Sequence, residues 1–154
     1  MGLFDFFRKK AEMPQARTLK TEIFSVAGVQ YCEDNVKKLA CCNPDWKLTA
    51  KQIKEKGKAN QRIFRYYFIN KPVKLEPEPS NKHDKNAILV IVAGEKVGYI
   101  SRADNVHVKE ILKKREIKYI TCFIGGGKYK TINDDGDILR NEESITVKVK
   151  IAYV

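Results

Sequence analysis

From Ala87 to Val92 six consecutive residues are apolar, most of them β-branched, a run that predicts a strand buried on both faces. Ala93-Gly94-Glu95 is a tight-turn sequence, and Val97-Gly98-Tyr99-Ile100 would return antiparallel to the first run. Ser144 to Val154 alternates instead. Ile145, Val147, Val149, Ile151 and Tyr153 fall on one side and Thr146, Lys148 and Lys150 on the other, so this strand has one wet, basic face. Three further segments have strand character. Glu22 to Cys32 is the first, with Gly28 marking a bulge or close backbone approach; Ile63 to Leu75 is aromatic-rich and interrupted or placed at an edge by Pro72. Lys118 to Ile124 and Lys128 to Ile132 read as a hairpin turning at Gly125-Gly126-Gly127.

Helical signals are short. Glu33 and Asp34 start a helix over Asn35 to Ala40, and Thr49-Ala50-Lys51-Gln52 has the form of a capping box for a second one ending near Gly57. Ser101-Arg102-Ala103-Asp104 resembles another capping box, with a helix to about Lys114 whose Val108, Ile111 and Leu112 share a face. Many strands with few helices predict a mainly β (α+β) chain. The expected architecture is a small OB-like or SH3-like β-barrel, closed or nearly so, carrying two or three helical insertions. Residues 1–20 read as an amphipathic, basic tail and linker, and 21–154 as a single domain with a helical insertion at about 33–58.

At 154 residues the chain suits one domain with a real core. Its 43% hydrophobic and 32% charged residues are ordinary globular values, but the net charge of +11 favours polyanionic partners such as nucleic acid or anionic lipid. Lys47, Lys51, Lys54, Lys56 and Lys58 concentrate part of that charge in the insertion, as a solvated face or a phosphate-facing one. Cys32, Cys41, Cys42 and Cys122 form no C-x-x-C pair, and no secretory signal precedes them, so reduced thiols in a cytoplasmic protein are expected, without structural zinc. No apolar stretch is long enough for a membrane-spanning helix. Phe4, Phe6 and Phe7 beside Arg8, Lys9 and Lys10 leave open a contact with a membrane surface, against the simpler reading of a terminus packed on the domain.

Catalytic and cofactor patterns are missing. Gly127-Lys128 is followed by Tyr129, which breaks the phosphate-loop pattern, and Asp134, Asp135 and Asp137 lack the ligand spacing of a calcium loop and read as a solvated turn. His83 and Asp84, neighbours on an extended chain, would point to opposite sides and do not make a dyad. No esterase elbow or zinc-protease motif occurs. No catalytic residue, metal or cofactor is assigned, and a hydrolase or nuclease is the least favoured class.

The loop from Glu76 to Asn86 precedes the first apolar run and presents Asn81, His83 and Asp84 to solvent. Taken together, Gly28-Val29-Gln30-Tyr31, then Glu76-Pro77, then Asn81-Lys82-His83-Asp84-Lys85-Asn86-Ala87-Ile88-Leu89-Val90, then Val97-Gly98-Tyr99-Ile100 resemble the motifs of the HIRAN domain in their order along the chain. The resemblance spans roughly Thr21 to Val154, and stand-alone bacterial or phage proteins are the kind of member it suggests. HIRAN domains resemble oligonucleotide-binding barrels, and in the best understood member the domain captures a single-stranded DNA 3′ end.

The resemblance therefore implies a non-enzymatic module that recognises single-stranded DNA at a 3′-hydroxyl end, in repair or replication-related processing, with a DNA-processing protein as a further partner. Carried over, Tyr31 and His83 would stack on the terminal bases, Asp84 would accept a hydrogen bond from the 3′-hydroxyl, and Asn81 would help hold the end. Tyr99 and Arg102 would lie along the backbone path, Arg102 on a phosphate, with Tyr129 an additional aromatic. Gln30 stands where the DNA-end-binding member has a basic residue, and His83 where it has a tyrosine; Gln can still donate to a phosphate and a His ring can stack. On the residues alone, Asn81, Asp84 and Asn86 could instead satisfy backbone groups of their own loop, and Tyr31 could be a core aromatic. The alternative function is a protein-interaction or membrane-peripheral module.

Overall fold

The computed structural model describes residues 16–154, so Phe4, Phe6 and Phe7 and most of the expected tail lie outside the described residues. Strand β1 (Lys20–Ala27) leads through a 3-10 turn (Val29–Tyr31) into helix α1 (Glu33–Leu39). The insertion continues with β2 (Cys41–Cys42), a second 3-10 turn (Pro44–Lys47) and α2 (Ala50–Glu55). Three short strands follow, β3 (Ile63–Phe64), β4 (Tyr66–Tyr67) and β5 (Val73–Pro77). Then come the hairpin β6 (Ile88–Val92) and β7 (Glu95–Ile100), helix α3 (Asn105–Lys114), and two long strands, β8 (Ile117–Ile132) and β9 (Ile138–Tyr153).

Seven strands form one antiparallel sheet in the order β3-β8-β9-β1-β7-β6-β5, while β2 and β4 pair separately. The fold is mainly β and compatible with the OB-like class, but the barrel is not closed, because the edge strands β3 and β5 are not bonded to each other. Pro77 ends β5 opposite Ile88. The expected loop starts after it, since an edge strand tolerates a residue without an N–H.

The β6–β7 hairpin turns at Ala93 and Gly94, both with positive φ (48° and 83°), and pairs Val92 with Glu95. That is the left-handed pair a two-residue hairpin loop needs. Burial in β6 alternates: Ile88, Val90 and Val92 are inaccessible, whereas Leu89 and Ile91 are half-exposed, so the run is not covered on both faces as expected. The alternation expected for Ser144 to Val154 holds, with Ile145, Val147, Val149, Ile151 and Tyr153 all in the core. In β1 the inward positions are Phe24 and Val26, while Ile23 is 61% exposed.

The glycine triplet is not a turn. It lies inside β8, where the ladder to β9 slips a register between Gly125 and Gly127, and the chain reverses later, at Asn133–Asp137. Gly126 has φ 70°, and a Cβ there would stand 2.1 Å from the Ser144 carbonyl oxygen. A bulge that crowds backbone on backbone excludes every side chain. Two 16-residue strands result, with Asp134, Asp135 and Asp137 at the reversal, as the solvated-turn reading has it.

The capping box at Thr49 and Gln52 is present in both halves, and α2 packs Ile53 with Ile63 and Ile132 into a small second core. Asp45, nearly buried, pairs with Lys56 at 2.7 Å and with Lys58, and Lys54 donates to the Asp134 carbonyl at 2.6 Å. Three of the insertion's lysines thus hold structure together instead of forming a free stripe. Ser101 caps nothing: its hydroxyl donates to the Asp104 carboxylate at 2.6 Å, and α3 begins one residue after Asp104, without a side-chain cap. Cys122 is buried, and that burial pushes its thiol up to about 12; all four cysteines are free.

Candidate functional site

The site forms where β1 runs out against β7. Val26 and Ala27 pair with Ile100 and Tyr99, and Gly98 (φ 145°) allows the approach, since a Cβ there would meet the Ala27 carbonyl oxygen at 2.5 Å. Beyond Ala27 the expected strand is a turn: left-handed Gly28 starts a 3-10 turn that ends at Tyr31. The turn buries Val29 and sends Tyr31 outward, 86% exposed. A large aromatic side chain presented this fully is not the core aromatic that was the alternative for Tyr31.

Across Tyr99 lies the 78–86 loop. Asn81 Oδ1 accepts from the backbone N–H groups of His83 (2.9 Å) and Asp84 (3.1 Å), while its Nδ2 donates to Glu78 Oε2 at 3.2 Å. Asn81 therefore shapes the loop, with both ends of its amide engaged. The Tyr99 hydroxyl donates to the same Glu78 oxygen at 3.0 Å and accepts from Lys96 Nζ at 3.1 Å, which holds the ammonium above its ordinary range. Tyr99 is thereby fixed as a wall between two adjoining hollows.

The first hollow, about 230 Å³, is lined by Asn81, His83, Asp84, Tyr99, Arg102 and Asn105 over an apolar floor of Ala27, Ala87 and Ile100. Asp84 is its chemical centre. Oδ1 accepts from the Asn86 N–H at 2.9 Å; Oδ2 accepts from Asn105 Nδ2 at 2.7 Å and faces Arg102 Nε at 3.5 Å. The Asn86 hydrogen bond holds its carboxyl below the usual carboxylate range, helped by Asn105 and Arg102 and opposed by partial burial. An ionised carboxylate offers about four acceptor directions and no donor, so with these three contacts made it still has capacity for one incoming N–H or O–H. Arg102 also donates to the His83 carbonyl at 3.0 Å, which ties the loop to the start of α3 and leaves a cation at the rim. His83, Lys82 and Lys85 are exposed around it.

The second hollow, about 550 Å³, is mostly apolar and is lined by Gly28, Tyr31, Cys32, Asn35, Lys96 and Tyr99. Gln30 is exposed beside Tyr31 on its outer side. Six of the residues expected at the site, namely Tyr31, Asn81, His83, Asp84, Tyr99 and Arg102, thus border two hollows that share Ala27 and Tyr99. Tyr129 does not join them. It packs on Phe64 (ring centroids 5.2 Å apart) under Arg62, and lines a different hollow with Trp46.

Asn105 was legible only as an oddity. It shares a helix face with Val108 and Ile111 yet is polar, and at 2% exposure its amide has Asp84 as its partner. Glu78 and Lys96 gave no local signal, because their role depends on the Tyr99 hydroxyl between them. Among the described residues no group of three His, Cys, Asp or Glu side chains is placed to hold a metal ion.

Fold and site together define a mostly β module with a polar, cation-rimmed binding surface of the kind found on OB-like sheets. The chain belongs to the HIRAN domain family, whose model matches residues 23–150, nearly its whole length. HIRAN is a family of nucleic-acid-binding domains. No curated protein and no solved structure matches the chain.

Proposed function

We propose that this protein binds single-stranded DNA by its free 3′-hydroxyl end and serves, without catalysis of its own, in DNA repair or replication-related processing beside a DNA-processing protein. The observation that carries this reading is the Asp84 carboxylate, ionised, oriented by Asn86 and Asn105, and with capacity for one more donor in the lining of a small hollow. A 3′-hydroxyl is such a donor. A 3′-phosphate brings negative charge against the carboxylate and is rejected. Arg102 at the rim suits the phosphate preceding the end, and Tyr31 and His83 supply faces for the last bases, at about 1–3 kcal/mol per stacked base. Lys82 and Lys85 add a salt-sensitive background attraction.

Fluorescence anisotropy with oligonucleotides of one sequence, ending in 3′-hydroxyl or 3′-phosphate, tests the reading. Tighter binding of the hydroxyl end, lost in Asp84→Ala, is expected. Equal affinity for the two ends in the unmodified protein would sink it.

A further inference from the structure

We propose a second site for single-stranded nucleic acid, in the hollow between Trp46 of the insertion and the outer half of the β8–β9 hairpin. It rests on the same class of partner as the end-binding reading but does not use the end pocket, with which it shares no lining residue.

The hollow, about 640 Å³, has aromatic walls from Trp46 and Tyr129 and cations from Arg65, Lys128 and Arg140; Glu142, opposite Lys128 across the ladder, is its one acid. Trp46 is held in place from below. Lys130, 4% exposed, donates from Nζ to the Trp46 carbonyl at 2.7 Å and the Leu48 carbonyl at 3.1 Å, so the insertion is pinned to β8 by its backbone. The Arg140 guanidinium lies 6.0 Å from the Trp46 ring centre, and the Arg65 N–H bonds the Lys128 carbonyl at 2.8 Å.

Several other cations in this half of the molecule are committed: Lys56 and Lys58 to Asp45, Arg62 to Glu143, Lys54 to a backbone carbonyl. Arg65, Lys128 and Arg140 enter no ion pair among the described residues. Three cations free of ion pairs, Arg65 and Arg140 lying over the Tyr66 and Trp46 rings, beside the aromatic walls of Trp46 and Tyr129, match a ligand that alternates phosphate with planar bases. An acidic peptide would use the cations and leave the rings idle.

Trp46 is the chain's single tryptophan, so its fluorescence reports on this hollow alone. The full chain is titrated with a 3′-phosphorylated oligothymidylate of roughly 16 nucleotides, the upper end of the site sizes known for OB sheets. Quenching is expected in the unmodified protein and equally in Asp84→Ala, whereas Arg65→Gln/Arg140→Gln needs roughly tenfold more oligonucleotide and keeps its preference for 3′-hydroxyl ends. Lys128→Gln, at an exposed position, stands in if the double variant unfolds. No quenching, quenching indifferent to these substitutions, quenching lost in Asp84→Ala, or equal quenching by polyglutamate would each overturn the proposal. Absence of any 3′-hydroxyl preference with quenching intact would remove the end-binding reading and leave this one standing.

Discussion

Asp84 Oδ2 and Asn105 Nδ2 lie 2.7 Å apart, joining a loop before β6 to the first residue of α3, and the amide is buried while the carboxylate is not fully so. One contact thus fixes both the direction of the acceptor and the seat of the helix.

Asn105→Ala should therefore act in two ways. Losing a hydrogen bond to a charged group costs about 1.5–3 kcal/mol of stability, read by denaturant unfolding. The ratio of affinities for 3′-hydroxyl and 3′-phosphate ends should fall as well, which a residue serving only the helix would leave unchanged.

Asp84→Asn keeps the shape of the side chain and removes its charge. The like-charge penalty against a 3′-phosphate disappears, so the two ends should approach equal affinity in anisotropy titrations. With the folded carboxyl held below its ordinary 3.8, the unmodified protein should keep its discrimination as pH falls to about that value and lose it only below.

Tyr31→Ala tests stacking free of folding effects, because the ring is 86% exposed. Affinity for single strands should drop by about 1–3 kcal/mol, that is roughly five- to 160-fold, with thermal unfolding unchanged. A large loss of stability would show that the ring packs after all.

Asp45 links stability to pH. Its hydrogen bonds to Lys56, then Lys58, hold its carboxyl below the ordinary 3.8 against the opposing effect of burial. A depressed folded value means the stabilising contribution is complete above 3.8 and is lost as pH falls through the folded value. Asp45→Asn should unfold at lower temperature near neutrality and show a flatter decline of stability below pH 3.8 than the unmodified protein.

Gly126→Ala and Gly136→Ala separate a crowded glycine from an open one. Both have positive φ (70° and 84°), which costs an alanine about 1–2 kcal/mol. At Gly126 the new Cβ also meets the Ser144 carbonyl oxygen at 2.1 Å, whereas nothing lies within 4 Å at Gly136. Gly126→Ala should be clearly the more destabilising in thermal unfolding, and an equal effect would contradict the bulge.

Much of the frame was legible. The β6–β7 hairpin, the capped α2 and the one-sided β9 each follow from local propensity or period, which depend on residues within a few positions of one another. The loop of Asn81, His83 and Asp84 could likewise be picked out, and the order of its neighbouring motifs identified the family. The glycine triplet was misjudged for a physical reason: positive φ serves a turn and a bulge equally, and only the continuing ladder of β9 makes it a bulge. The Ser101 box failed similarly, because its hydroxyl found the Asp104 carboxylate in place of a backbone N–H.

By itself, then, the sequence determined the local elements, the excess of positive charge and the identity of the polar loop, all properties set by neighbours along the chain. Tertiary structure alone decided that Tyr31 turns outward after Gly28, that Asn105 reaches Asp84 across 21 residues, and that Tyr129 sides with Trp46 instead of with the loop. Such relations depend on which strands pair and at what register, and that is settled by burial of the whole core at once, where no short stretch of sequence carries the information.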